Sequence, residues 1–192
     1  MKKLGAIILA LGFITLFAGC KTDVDVVELT KIEVTQKPSK TEYFVGEELD
    51  LTGLKVTAFY SDGSSADVTK DAKTSGFDSD EATKSQTVTV TYGGKSATFT
   101  VKIKAIELTD IAITTQPTKK EYFVGETLDL TGLKVTATYN NGTTADVTKD
   151  AKTSGFDSSA AVESQTVTVT YEGKTATFTV KISAVEVTKI EL

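Results

Sequence analysis

The sequence predicts an all-β protein built from two copies of one small β-sandwich, and three observations predict it. The first is an internal repeat. Leu29-Thr30-Lys31-Ile32 returns as Leu108-Thr109-Asp110-Ile111, and Glu42-Tyr43-Phe44-Val45-Gly46-Glu47 returns as Glu121-Tyr122-Phe123-Val124-Gly125-Glu126, both 79 residues later. Aligned without a gap, 29–107 and 108–186 are identical at 58 of 79 positions. That period is too long for a solenoid unit and right for a small domain. The second observation is an apolar period of two inside each copy, the mark of strands with one face buried. The third is turn chemistry between those runs, with Gly in short polar connections.

The elements follow in order. Leu29–Thr35 reads as a first strand and Glu48–Leu51 as a short second one. In Leu54–Tyr60, Leu54, Val56, Ala58 and Tyr60 point inward while Lys55, Thr57 and Phe59 point outward. Ser61-Asp62-Gly63-Ser64 is a hairpin signal leading to Ala66–Thr69. Asp78–Ser85 reads as an irregular loop or a helical turn. Val88, Val90 and Tyr92 form the next inward face, and Ala97, Phe99, Val101 and Ile103 the last. Tyr92-Gly93-Gly94-Lys95 joins these two strands. Its counterpart Tyr171-Glu172-Gly173-Lys174 keeps only the second Gly, which predicts that only this position needs positive φ. About seven short antiparallel strands in 79 residues is the pattern of an immunoglobulin-like sandwich. Neither copy has a cysteine pair or a Trp, so apolar packing alone must hold each core.

The run from Tyr43 to Val56, with Tyr60-Ser61-Asp62-Gly63, Val68-Thr69, Val88 to Tyr92 and Gly94-Lys95, resembles the bacterial immunoglobulin-like domain of group 3. The resemblance covers 29–107 and 108–186. It implies a β-sandwich that recurs in bacterial surface and secreted proteins as a spacer, an adhesive unit or an attachment to enzymes. It does not imply one activity.

Residues 1–19 read as a leader. Lys2 and Lys3 precede an uncharged, mostly apolar run of 15 residues, Leu4 to Ala18. That run is short for a membrane span and fits a secretory signal peptide ending at small residues. Phe17-Ala18-Gly19-Cys20 resembles the lipobox of bacterial lipoproteins, with Phe17 where Leu is usual. The resemblance implies a diacylglyceryl group on Cys20, a tether over 20–28, and a membrane-anchored protein facing the extracytoplasmic side of the cell envelope. Losing residues 1–19 moves the net charge from −5 to −7.

Composition removes several function classes. There is no His, so the commonest general base and metal ligand are missing, and Cys20 is the only thiol. A hydroxyl nucleophile needs an adjacent base, so no catalytic residues and no cofactor are expected. An acidic chain lacks the basic footprint that nucleic acid requires. Cys20 lies outside both copies and the first copy contains no Asn, which excludes an internal thioester and, in that copy, a Lys–Asn isopeptide bond. Asp78, Asp80 and Glu81 gather in one loop and are the calcium candidates. Phe59, on an outward face, and Tyr43 and Tyr122, each in an aromatic pair, are the ligand-binding candidates.

The joint Lys104-Ala105-Ile106-Glu107 contains no Gly, Pro or Ser, which predicts a stiff connection. Residues 187–192 repeat the first strand and read as the stub of a third copy, either docked on the second or left by truncation of a longer array. The expectation is a monomeric, non-catalytic surface lipoprotein displaying tandem modules for adhesion or as a spacer, with a protein or glycan ligand. The alternatives are a carbohydrate-binding module and a calcium-stabilised stalk.

Overall fold

The structure, a computed structural model, describes residues 26–186, so the predicted leader, Cys20 and the predicted stub at 187–192 lie outside the described residues. Unit 1 contains β1 (Leu29–Gln36), β2 (Glu42–Phe44), β3 (Lys55–Tyr60), β4 (Ser65–Asp67), β5 (Lys73–Ser75), β6 (Thr83–Tyr92) and β7 (Lys95–Lys104). Unit 2 repeats them as β8 (Leu108–Thr115), β9 (Glu121–Phe123), β10 (Lys134–Tyr139), β11 (Thr144–Asp146), β12 (Lys152–Ser154), β13 (Val162–Tyr171) and β14 (Lys174–Ser183). In each unit a three-stranded sheet, β1-β3-β4 or β8-β10-β11, faces a four-stranded sheet, β2-β7-β6-β5 or β9-β14-β13-β12.

The period of two does what the sequence predicts. Ile32, Val56 and Ala58 from one sheet meet Val88, Val90, Phe99, Val101 and Ile103 from the other in one buried cluster, and unit 2 repeats it with Ile111, Val135, Ala137, Val167, Val169, Phe178, Val180 and Ile182. No polar or charged residue is buried among the described residues. Apolar burial at roughly 25 cal/mol per Å² is therefore the main stabilising term. The chain changes sheets between β1 and β2 at Pro38, which is buried and has no amide to continue the ladder.

Three sequence expectations need correction. Glu48–Leu51 is not a strand; the short second strand lies earlier, at Glu42–Phe44, and a further three-residue strand appears at Lys73–Ser75. The strands are not all antiparallel, because β2 pairs in parallel with β7 and β9 with β14. Both central positions of the last hairpin have positive φ: Gly93 at 54° and Gly94 at 77°, Glu172 at 42° and Gly173 at 80°. A two-residue turn that matches strand twist needs both. Glu172 occupies a backbone region that costs a residue with a Cβ roughly 1–2 kcal/mol.

The segment from Tyr43 to Leu54, which carried the resemblance, is a loop folded around one phenol. Tyr43 is fully buried. Its hydroxyl lies 3.0 Å from Lys40 O and 3.1 Å from Asp50 O as possible acceptors, and accepts from Asp50 N at 3.2 Å. The Phe44 amide donates to Glu47 Oε2 at 2.7 Å, and Thr52 N to Asp50 Oδ1 at 2.8 Å. Phe77 stacks edge-on against the Tyr43 ring with centroids 5.1 Å apart. Unit 2 repeats this loop around Tyr122, with Phe156 at 5.0 Å.

Candidate functional site

The alternation that builds β2 and β9 decides which aromatic is available. Tyr43 and Tyr122 point into the cores and are 0% and 1% exposed. The sequence expectation for them as ligand contacts is thereby corrected: their neighbours Phe44 and Phe123 take the outward face. Parallel pairing sets Phe44 beside Lys104 and Phe123 beside Ser183.

That pairing gives the two rings different surroundings. In unit 1, Lys104 Nζ sits 4.6 Å from the Phe44 centroid and is held there by Glu42, 3.1 Å away. Lys102 lies 3.8 Å from the other oxygen of Glu42. These lysines, Lys104 foremost, hold the Glu42 carboxyl below the usual carboxylate range. The first ring is capped. In unit 2, Ser183 is too short to reach, and Phe123 is 55% exposed. Beside it a shallow recess is lined by Val162, Glu163, Lys181 and Ser183. Lys181 Nζ and Glu163 Oε2 are 2.8 Å apart, and this contact raises the Lys181 pKa. The sequence signal was the exchange of Lys104 for Ser183 at an otherwise repeated position.

Phe59 faces outward as expected. It is half-buried, with Lys31 Nζ 4.8 Å above its ring and Lys31 also bound to Glu33 at 2.6 Å. The acidic loop is organised by its own backbone. Asp78 Oδ1 accepts from Asp80 N at 2.9 Å, and Gln86 brackets Asp78 through Oε1 and Nε2 at 2.9 and 2.7 Å. Unit 2 builds the same loop from Asp157, Ser159 and Gln165 with fewer acids. Asp78, Asp80 and Glu81 line a shallow recess. Among the described residues, no three such ligands are grouped to hold a metal ion. No helix among them is long and apolar enough to cross a membrane.

The joint is tighter than its composition implied. Lys104 O accepts from Val45 N at 3.0 Å, inside unit 1. The next carbonyl, Ala105 O, accepts from Asn140 Nδ2 at 3.0 Å, inside unit 2. Asn140 Oδ1 then accepts from Glu107 N at 3.1 Å, and Asn140 N donates to Glu107 O at 2.9 Å. Sequence reasoning missed Asn140. In unit 1 its place is taken by Ser61, which keeps the two bonds to Glu28 but has no amide to reach further back.

Two facing sheets per unit, seven strands each and one parallel terminal pair define a tandem of immunoglobulin-like β-sandwiches. The chain belongs to the bacterial Ig-like domain (group 3) family, whose model matches residues 36–103 and again 115–182. It is 40% identical over 125 residues to pectate lyase L of Thermoclostridium stercorarium, a match covering 65% of this chain and 10% of that protein. It is 37% identical over 158 residues to an exo-beta-1,6-galactobiohydrolase of Bifidobacterium longum, covering 77% of this chain and 10% of the relative. The chain thus spans about a tenth of the length of these relatives. Domains 4 and 5 of the S-layer protein SbsC align with 81% of this chain and 98% of theirs, at 18% identity and a TM-score of 0.34.

Proposed function

We propose that the chain is a non-catalytic display and spacer module, held at the outer side of a bacterial membrane through lipid on Cys20. The observation that carries this reading is the joint. Consecutive carbonyls, Lys104 O and Ala105 O, are bonded into different units, and Glu107 is bonded to Asn140, so the short connection holds the modules at a set spacing. Replacing Asn140 with Ser, the residue unit 1 uses, removes only the bond to Ala105 and leaves unit 2 folded. Spin labels on Thr98 and Thr177 should then give a broader inter-unit distance distribution than in the parent chain. A parent distribution already as broad as that of the variant would remove the spacer reading. Mass spectrometry of the native N-terminus tests the tether: a diacylglyceryl-modified Cys20 is expected.

A second reading, contact with a glycan, is favoured by the bare Phe123 ring beside a hydrogen-bonding pair. The names of the two relatives, a pectate lyase and a galactobiohydrolase, support it: in both, sequence like this one accompanies a protein named for a carbohydrate.

A further inference from the structure

Three of the positions at which the units differ surround one unchanged phenylalanine. Around Phe123, unit 2 has Val162, Glu163 and Ser183 where unit 1 has Thr83, Lys84 and Lys104. The exchanges change the chemistry of the unit 2 end. The ring loses its cation, the recess beside it gains an apolar wall, and Glu163 turns Lys181 into half of an exposed donor–acceptor pair 2.8 Å across. Meanwhile Phe44 keeps its lysine cap at 4.6 Å.

The surface leading to this ring is a hydroxyl track that unit 1 shares, as Thr91 with Ser96, Thr89 with Thr98 and Thr87 with Thr100. On β13 and β14 the outward residues pair as Thr170 with Thr175, Thr168 with Thr177 and Thr166 with Thr179, followed by Lys181 and Ser183 toward Phe123. From Thr175 to Ser183 the track runs about 27 Å at the usual strand rise. No charged residue interrupts it before Lys181.

We propose that this end of unit 2 is a subsite for a neutral oligosaccharide, with one pyranose stacked on Phe123 and its hydroxyls bonded to Lys181, Glu163 and Ser183. The inference rests on the glycan reading above and deepens it. A pyranose has an apolar C–H face and a rim of hydroxyls, which matches a lone ring flanked by a donor and an acceptor. Other occupants fit less well. A stable protein interface takes roughly 800 Å² per partner around an apolar, aromatic-rich centre, whereas Glu163, Lys181 and Glu186 bring three charges into this recess. An acidic chain repels anionic lipid and polyuronate alike. In unit 1 the ring itself is covered by Lys104 of the same unit, while Asn140 of unit 2 stands at the edge of the recess beside it.

The test is calorimetric titration of the full-length chain in detergent with cellohexaose, with a β-1,4-galactohexaose and with polygalacturonate. One neutral-sugar site per chain is expected. Phe123→Ala should weaken it about tenfold or more, the scale of one lost aromatic contact. Ser183→Lys should do the same by rebuilding the unit 1 cap, and it will fold because unit 1 already carries that arrangement. Phe44→Ala should leave binding unchanged. Neutral-sugar binding that survives both unit 2 variants, or that falls equally with Phe44→Ala, overturns this site while leaving the glycan reading standing. Absence of binding to both neutral sugars, or binding of polygalacturonate alone, overturns the site and that reading together. A dimer in sedimentation that Phe123→Ala abolishes overturns it in favour of a second copy. The spacer reading stands or falls separately, on Asn140→Ser.

Discussion

Unit 1 and unit 2 share the same eleven buried apolar residues, position for position, and all 21 differences between them fall outside that set. The loop bonds are shared as well: the tyrosine hydroxyl contacts, Asp50 or Asp129 to the following threonine amide, and Gln86 or Gln165 around the aspartate loop. Most of the differences lie on β1 and β3, at the hairpin tip that receives the preceding chain, and at the end near β2 or β9, with Gly93 to Glu172 and Ser96 to Thr175 in the last hairpin. One scaffold therefore carries two surfaces, and the interior constrains the exterior only through which side chains the pleat turns outward.

The sharpest way to break this comparison is to empty one core. Tyr122→Ala should destabilise unit 2 by about 3–5 kcal/mol, combining a large cavity with a lost hydroxyl hub. Calorimetry should then show two separated transitions, with unit 1 melting where it did before. If both units melted early together, they would not be independent folding bodies.

A smaller effect comes from the last hairpin. Glu172→Gly should stabilise unit 2 by about 1 kcal/mol by relieving positive φ at a residue with a Cβ. The reciprocal Gly93→Glu should cost unit 1 about as much, because Gly93 also has positive φ, at 54°. Urea denaturation of the two variants against the parent measures both, and opposite signs are the expected result.

Phe59→Thr, which copies Thr138 of unit 2, should lower unit 1 stability by about 0.5–1 kcal/mol through loss of the Lys31 contact over the ring. No measurable change would mean that this contact contributes nothing in water.

The smallest difference concerns acid. Hydrogen bonds from Ser64 hold Asp62 below the usual carboxylate range, and Lys104 does the same for Glu42. Unit 2 has the non-titrating Asn141 in place of Asp62, and adds Asp157, held low by Ser159. Groups whose folded pKa is depressed contribute stability above the unfolded value, about pH 4, and lose it as pH falls through the folded one. Unit 1 should therefore lose stability slightly earlier than unit 2 on acidification below pH 4. Backbone amide signals from each unit, followed through an acid titration, would rank them.

Much of the fold was legible because its cause is local. Leu54, Val56 and Ala58, or Phe99, Val101 and Ile103, declare their faces by alternation, and the repeat confirms every assignment once. What alternation does not encode is pairing between strands distant in sequence. The three-residue β2 is a strand only because β7 offers it a parallel edge, and that same pairing decides whether Lys104 meets Phe44. The exposed ring was accordingly illegible: the sequence shows the exchange of Lys104 for Ser183 but not what either touches. Asn140 was missed for a similar reason, since its side chain acts on residues 33 and 35 positions earlier. Tyr43 and Tyr122 stood as ligand candidates because a three-residue strand gives too little pattern to say which member of each aromatic pair turns inward.

The parallel partnership of β2 with β7 has a mechanical consequence. β2 and β7 run in the same direction, so tension applied between the start of β2 and the end of β7 pulls these strands past each other lengthwise. Their hydrogen bonds are loaded in shear and share the strain together, where an antiparallel pair gripped at one end would unzip bond by bond. Shear of this kind loads the three paired positions of each parallel pair together.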